Sequence, residues 1–209
     1  MMKVVKFGGS SLADAGQIQK AAAIIKAEAD RRYVVPSAPG KRFKDDIKVT
    51  DMLYQCYALA EKGEAFATQL AAIKDRYVSI LNGLSMPETL LDEEFVTIGE
   101  NFRKRFGSDY AASRGEYLNG KLIAAYLGFA FVDAAEVIFF QEDGTLNREK
   151  TAQTMRERLT GLDYAVVPGF YGCGADGCAS GDTQQLLSGF RLQFHKKALH
   201  YWWELKPTR

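Results

Sequence analysis

The chain has 209 residues, 47% of them hydrophobic, which is enough for a globular domain with a sizeable core. Its 27 Lys and Arg against 26 Asp and Glu give a formal net charge of +1, which excludes a global field that attracts nucleic acid or an anionic membrane. There is no signal pattern, no apolar run near the roughly 20 residues that span a bilayer, and no disulfide framework among three cysteines. We expect a cytoplasmic protein without a nucleic-acid or membrane partner.

Strand-like and helical segments alternate along the chain, which predicts an α/β fold with a mostly parallel sheet covered on both faces. A buried strand at 3–7 is followed by a helix at 12–32 and a strand at 33–40, which ends in a charged loop running to Thr50. Further helices are expected at 51–62, 64–82, 85–107 and 109–127. The remaining segments are a strand at 129–133, a turn at 143–144, a helix at 147–161 and a strand from 164 onwards.

Three of these helices carry capping signals at their first residues. Thr50–Asp51 is expected to cap the helix that follows it, and Asn147 the helix at 147–161. Ser85 and Glu88 have the spacing of a capping box, with Pro87 in the first turn.

The segment KFGGSS, residues 6–11, joins the end of the first strand to a helix. Gly8 and Gly9 permit close backbone approach, and amides before a helix N-terminus form a partly positive concave site that suits phosphate. Lys6 could neutralise charge on a transferring phosphoryl group. A tight turn with a solvated lysine explains the same residues, so the motif alone leaves both interpretations open.

A second glycine pattern, GxGxxG, occurs at Gly172, Gly174 and Gly177. No clear helix follows it, so we interpret it as a glycine-rich turn and not as a dinucleotide-binding motif.

Five short motifs occur in order along the chain. They are Lys6–Ser11, Ser37–Lys41, Lys48–Asp51, Gly115–Glu116, and Val167–Phe170 with Asp176–Gly177. With the distances between them, they together resemble the N-terminal part of the aspartate kinases of the amino acid kinase family. The resemblance covers residues 2–177 and implies a truncated three-layer α/β/α sandwich. It also implies ATP- and Mg²⁺-dependent phosphorylation of the side-chain carboxylate of L-aspartate, the first step towards lysine, threonine and methionine.

The resemblance assigns a phosphate-binding role to the first motif. Lys6 would bridge phosphate oxygens as the catalytic cation. The amides of Gly8 and Gly9 and the hydroxyl of Ser10 would hold the transferring group. No side chain is assigned to a metal.

The resemblance also assigns the substrate contacts. Ser37 and Thr50 match positions that hold the reacting carboxylate, which with a pKa of about 3.9 needs no general base. Glu116 matches the residue that receives the α-ammonium group, although a solvated helix face is the ordinary reading of such a glutamate. Arg114 is interpreted as a surface charge.

The sequence departs from the family after Asp176–Gly177. The sequence after Gly177 does not contain the segment that supplies the substrate-binding arginine in the family. We therefore expect a chain without the nucleotide-binding second half and without the ACT domains. We therefore divide the chain into an aspartate-binding part, 1–177, and a divergent tail, 178–209. Our hypothesis is a frameshift or rearrangement at residue 178; a gene without kinase-like continuation in any frame past codon 177 would contradict it. An incomplete sheet exposes an edge, which favours homo-oligomers unless tail aromatics such as Trp202 and Trp203 cover it.

Three alternatives remain. The chain could be an inactive fragment that binds aspartate or assembles without turnover. It could also be a kinase for another amino acid, such as glutamate, although the Ser37–Thr50 loop and Glu116 favour aspartate. A zinc-binding tail is the third alternative, drawn from Cys173, Cys178, His195 and His200.

Overall fold

The computed structural model describes residues 2–174 and 190–192. The strands are β1 (Lys3–Phe7), β2 (Arg31–Pro36), β3 (Ala130–Phe131), β4 (Ala165–Val166), β5 (Tyr171–Cys173) and β6 (Phe190–Leu192). The α-helices are α1 (Ala15–Lys26), α2 (Val49–Lys62), α3 (Ala67–Gly83), α4 (Asp92–Arg103), α5 (Ser108–Leu127), α6 (Ala134–Val137) and α7 (Arg148–Leu159). Short 3-10 helices lie at Gly9–Leu12 and Glu88–Leu91.

Four of the strands form one parallel sheet in the order β1-β2-β4-β3. Phe7 pairs with Pro36, so β1 and β2 end side by side. Strands β5 and β6 form a separate antiparallel pair. The expectation of a mostly parallel sheet is confirmed.

The sheet separates two hydrophobic clusters, because successive side chains of a strand point to opposite faces. Val34 and Val166 belong to the larger cluster, which is built from helices α1 to α5. Ala165 and Val167 belong to the smaller cluster, with residues of α6, α7 and β5. Helices therefore cover both faces, and the α/β/α sandwich predicted from the sequence is the observed architecture.

Helix α1 is shorter than the predicted helix at 12–32. It begins after Asp14, whose carboxylate accepts the Gln17 amide at 2.9 Å, and ends at Lys26. The guanidinium of Arg31 instead donates to the Ile24 carbonyl, and β2 starts at that arginine. Neither Gly nor Pro occurs between 27 and 30, so the sequence carried no stop signal.

Two of the three predicted caps are wrong. Lys48 is the N-cap of α2, and Thr50 lies inside its first turn. Ser85 has a φ of 56° and makes no capping bond, because the 3-10 helix starts after Pro87. The third prediction is confirmed, since the Asn147 side chain accepts the Lys150 amide at 3.1 Å. Within the described part of the chain, no helix is long and apolar enough to cross a membrane.

Candidate active site

Two loops meet at the carboxyl ends of β1 and β2, the edge where parallel α/β sheets bind ligands. We call residues 8–14 the first loop and residues 37–48 the second loop. The Gly40 amide donates to the Gly9 carbonyl at 2.9 Å, and the Ser37 amide donates to the Phe7 carbonyl at 3.0 Å. A Cβ atom on Gly40 would lie only 2.6 Å from the Gly9 carbonyl carbon. The contact between the loops therefore requires a glycine at position 40.

We expect Gly40→Ala to destabilise the protein by about 1–3 kcal/mol, because overpacking forces the backbone of the loops apart. Gly8→Ala is the matched control: a Cβ atom there meets nothing within 4 Å, and the φ of Gly8 is −79°. Urea unfolding of both variants measures the difference. Equal midpoints for the two variants would refute the close packing.

Helix α5 packs against the second loop through small residues. A Cβ atom on Gly115 would lie 2.8 Å from the Ala38 Cβ and 3.6 Å from the Thr50 hydroxyl oxygen. One turn further along, the Asn119 side-chain amide donates to the Ser37 carbonyl at 2.6 Å. These contacts bring Ser37 and Thr50 next to the buried face of α5, near the middle of the helix.

Glu116 lies on this face and is only 5% exposed. Burial raises the pKa of Glu116 to about 7, although the Ala38 amide and the charges of Arg114 and Lys6 act in the opposite direction. Within the described residues, Oε2 of this carboxylate is buried without a hydrogen-bond partner. Because an unpaired buried acceptor is costly, the carboxylate is suited to receive a ligand's donor, above all a cationic one.

The structure brings the seven predicted site residues to one edge of the sheet. Lys6 and Ser10 are exposed there, so neither is held by core packing. The solvated-face reading of Glu116 does not hold, since the residue is buried. The ligand roles of these residues remain predictions. The first loop and the end of β1 contribute Lys6, Gly8, Gly9 and Ser10; the second loop, α2 and α5 contribute Ser37, Thr50 and Glu116.

The interpretation of Arg114 as a surface charge is wrong. Arg114 is 6% exposed, and its guanidinium carbon lies 4.6, 4.4 and 5.4 Å from the ring centroids of Tyr110, Tyr117 and Tyr171. Its Nε and Nη2 atoms also donate to the Ser113 hydroxyl, each at 3.0 Å. Three aromatic faces and these hydrogen bonds compensate the guanidinium for the water it loses.

A second buried arginine joins the two loops and was not predicted. Arg76 of α3 pairs with Asp46 at 2.8 Å and donates to the carbonyls of Ala13, at 3.2 Å, and Gly40, at 2.8 Å. One side chain thus contacts the first loop and the second loop together.

Comparison with known proteins agrees with this geometry. The sequence model of a protein family, described as "Amino acid kinase family", matches residues 1–188. The chain belongs to the amino acid kinase family. Its resemblance to aspartate kinases is confirmed by similarity to Aspartokinase 3 of Bacillus subtilis (strain 168), at 38% identity over 191 residues, 84% of this chain and 42% of that relative.

Solved structures of the family give the same result. The crystal structure of Clostridium acetobutylicum aspartate kinase has a TM-score of 0.82 at 40% identity, covering 92% of this chain and 42% of that one. The structure of E. coli aspartokinase III in complex with aspartate and ADP (R-state) has a TM-score of 0.67, covering 85% and 42%. At 23% identity, the latter likeness concerns the fold alone. The chain spans less than half the length of each of these relatives.

The glycine pattern and the zinc alternative near the C-terminus lie only partly within the described residues. Gly172 lies in β5, where a Cβ atom would come within 2.6 Å of the Ile138 carbonyl oxygen, so close strand packing explains this glycine. Gly177 lies outside the described residues. Of the four residues of the zinc alternative, Cys173 is a buried free thiol in β5. The other three, Cys178, His195 and His200, lie outside the described residues. The tail tryptophans Trp202 and Trp203 also lie outside them. Residues 2–174 contain no group of three or more potential metal ligands.

Proposed function

We propose that this chain is the N-terminal, aspartate-binding part of an aspartate kinase, which transfers the γ-phosphoryl group of ATP to the side-chain carboxylate of L-aspartate. The observation that carries the proposal is the buried carboxylate of Glu116, which has one unpaired oxygen. It lies against Ala38 of the second loop, and Ala38 in turn packs closely on Gly9 of the first loop. An amino acid has the ammonium group that such a carboxylate needs. A simple diacid does not.

The phosphate side of the site is the first loop. Its 3-10 helix begins at Gly9, so the amides at this end are available to anionic oxygens, and Lys6 is exposed beside them. We propose that these groups and the Ser10 hydroxyl hold the transferring phosphoryl group. Mg²⁺ would reach the site on the nucleotide, since this ion is usually bound by phosphates with one or two carboxylates and water. When bound, it neutralises charge on the phosphate oxygens.

The acceptor side is the second loop with α2 and α5. Ser37 and Thr50 can donate hydroxyl hydrogen bonds to the reacting carboxylate, while Glu116 receives the α-ammonium group. The carboxylate is ionised at neutral pH, so catalysis consists of positioning and charge stabilisation and needs no base. Glutamate is the nearest competing substrate, and it would have to fit an extra methylene between the same contacts.

The test is hydroxamate formation by the purified chain with ATP and Mg²⁺, with L-aspartate and L-glutamate compared in parallel. Hydroxylamine traps the acyl phosphate, so the assay reports the chemistry itself. We expect product with aspartate, and a preference for glutamate would refute the substrate assignment.

Binding of aspartate without turnover is the second candidate, favoured because the chain covers only 42% of its relatives. We keep the division into 1–177 and a divergent tail at 178–209 as part of this proposal. Calorimetry distinguishes the two functions: aspartate binding with no hydroxamate supports the second, and binding of neither ligand contradicts both.

We also propose that the protein works in the cytoplasm and self-associates. Light scattering after size-exclusion chromatography measures the association, and a monomer at assay concentrations would contradict it.

A further inference from the structure

We propose that the Arg76–Asp46 pair holds the first loop and the second loop at a fixed separation and thereby aligns the phosphoryl donor with its acceptor. The alignment rests on the proposed function, whereas the holding of the loops does not. Arg76 is a positioning residue in this proposal, since it acts through the loops and touches no substrate.

The contacts of Arg76 reach both loops. From α3, its Nη1 atom donates to Asp46 Oδ2 at 2.8 Å, and its Nη2 atom donates to the Gly40 and Ala13 carbonyls at 2.8 and 3.2 Å. Ala13 belongs to the first loop, and Gly40 and Asp46 belong to the second. One side chain of α3, a helix of 17 residues, therefore sets the position of the two loops relative to each other.

Both charges are buried, with side chains 4% and 8% exposed. Asp46 also accepts from the Arg42 amide, Nε and Nη2 at 2.9, 2.8 and 2.8 Å. Hydrogen bonds from Arg42 first, and from Arg76, hold the pKa of Asp46 far below its usual range against the effect of burial. The carboxylate is therefore ionised at any pH where the protein works.

Stability alone is a poor explanation of this arrangement. A buried ion pair costs desolvation that well-packed apolar residues would avoid, so it is weak evidence for a stabilising role. An apolar pair could not donate to two carbonyl oxygens on separate loops. The geometry thus fits a role in fixing the position of the loops.

The expected consequence is specific. Phosphoryl transfer needs reacting atoms about 3–3.5 Å apart, and a misplacement of about 1 Å can cost 10²-fold in rate. In the proposed site the phosphoryl group lies on the first loop and the carboxylate on the second. A change in their separation lowers kcat, while each ligand keeps its own contacts and therefore its KM.

The experiment compares Arg76→Leu and Arg76→Lys with the control Arg42→Ala in the full 209-residue chain. Arg42 contacts the same carboxylate, but its side chain is 41% exposed and donates to neither Ala13 nor Gly40. Hydrogen exchange follows the Gly40 amide, which donates to Gly9. We expect exchange at least tenfold faster in Arg76→Leu and an intermediate value in Arg76→Lys. Arg42→Ala should change exchange little, because the backbone amide of residue 42 and Arg76 still donate to Asp46.

Kinetics supply the second readout. We expect Arg76→Leu to lower kcat by about 10–100-fold, with KM for aspartate and ATP changed by less than about threefold. Unchanged exchange in folded Arg76 variants would overturn the proposal, as would faster exchange with unchanged kcat or a rise in KM alone. If Arg76→Leu does not fold, Arg76→Lys decides. If the wild-type chain makes no hydroxamate, the proposed enzymatic activity is contradicted. Hydrogen exchange at the Gly40 amide then decides by itself whether Arg76 holds the two loops together.

Discussion

Replacing Lys6 with alanine should lower the rate of acyl-phosphate formation by about 10²–10³-fold, the usual cost of removing one preorganised group that stabilises transition-state charge. Lys6 lies at the end of β1 beside the glycine-lined loop and is exposed. Truncating an exposed side chain away from special contacts changes stability by about 0.5 kcal/mol or less. The hydroxamate assay should therefore show a loss of activity in a normally folded protein.

Lys3→Ala is the matched control for this substitution. Lys3 begins the same strand, is also exposed, and pairs with Glu28 at the opposite edge of the sheet. We expect it to keep its activity and its affinity for ATP, whereas Lys6→Ala should bind ATP more weakly in calorimetry. Equal effects of the two substitutions would show that Lys6 contributes only general charge, and the phosphate-binding role would be withdrawn.

The order of the elements could be predicted from the sequence because it depends on periodicity. The apolar stripe of α1 and the apolar strands on either side specify a βαβ unit with little ambiguity. The expectation that the strand at 3–7 is buried is wrong, because β1 is the outer strand of the described sheet and none of its residues is fully buried. Boundaries and caps depend on single hydrogen bonds. Asp14 caps α1, and Lys48 is the N-cap of α2. The starts of these helices follow from how the loops before them pack. The residue types of Thr50 and Ser85, which predicted caps, carry no information about that packing.

The site could be predicted only where its residues belong to short motifs. Lys6 and the two glycines lie within six residues, but Asp46 stands among charged residues of both signs in RFKDD, and nothing local distinguishes it. Arg76 had a weak signal, because it lies beside Tyr77 on the buried face of α3. Arg114 needed tertiary information, since Tyr171 approaches it from a strand more than fifty residues away.

Replacing Glu116 with glutamine should raise stability and lower aspartate affinity together. Glutamine keeps the shape of the side chain but cannot ionise, so it avoids placing a charge in a site that is 5% exposed. A charge-assisted contact to the α-ammonium is worth about 1.5–3 kcal/mol, which corresponds to a loss of about 10–100-fold in affinity. Calorimetry measures the affinity, and urea unfolding measures the stability. Glu100→Gln is the control, because Glu100 is exposed on α4 and neither quantity should change.

The dependence on pH fixes the sign of both effects. The pKa of Glu116 is raised from 4.5 to about 7, so the stability it contributes is complete below about pH 4.5 and is lost as pH rises through 7, by about 3 kcal/mol. Glu116→Gln should therefore stabilise the free protein at pH 8 and hardly at pH 5. Aspartate needs the ionised form, so wild-type affinity should fall about tenfold per unit below pH 7, while the variant's weak affinity stays flat. A wild-type affinity that is equally flat would mean that the ammonium group binds elsewhere.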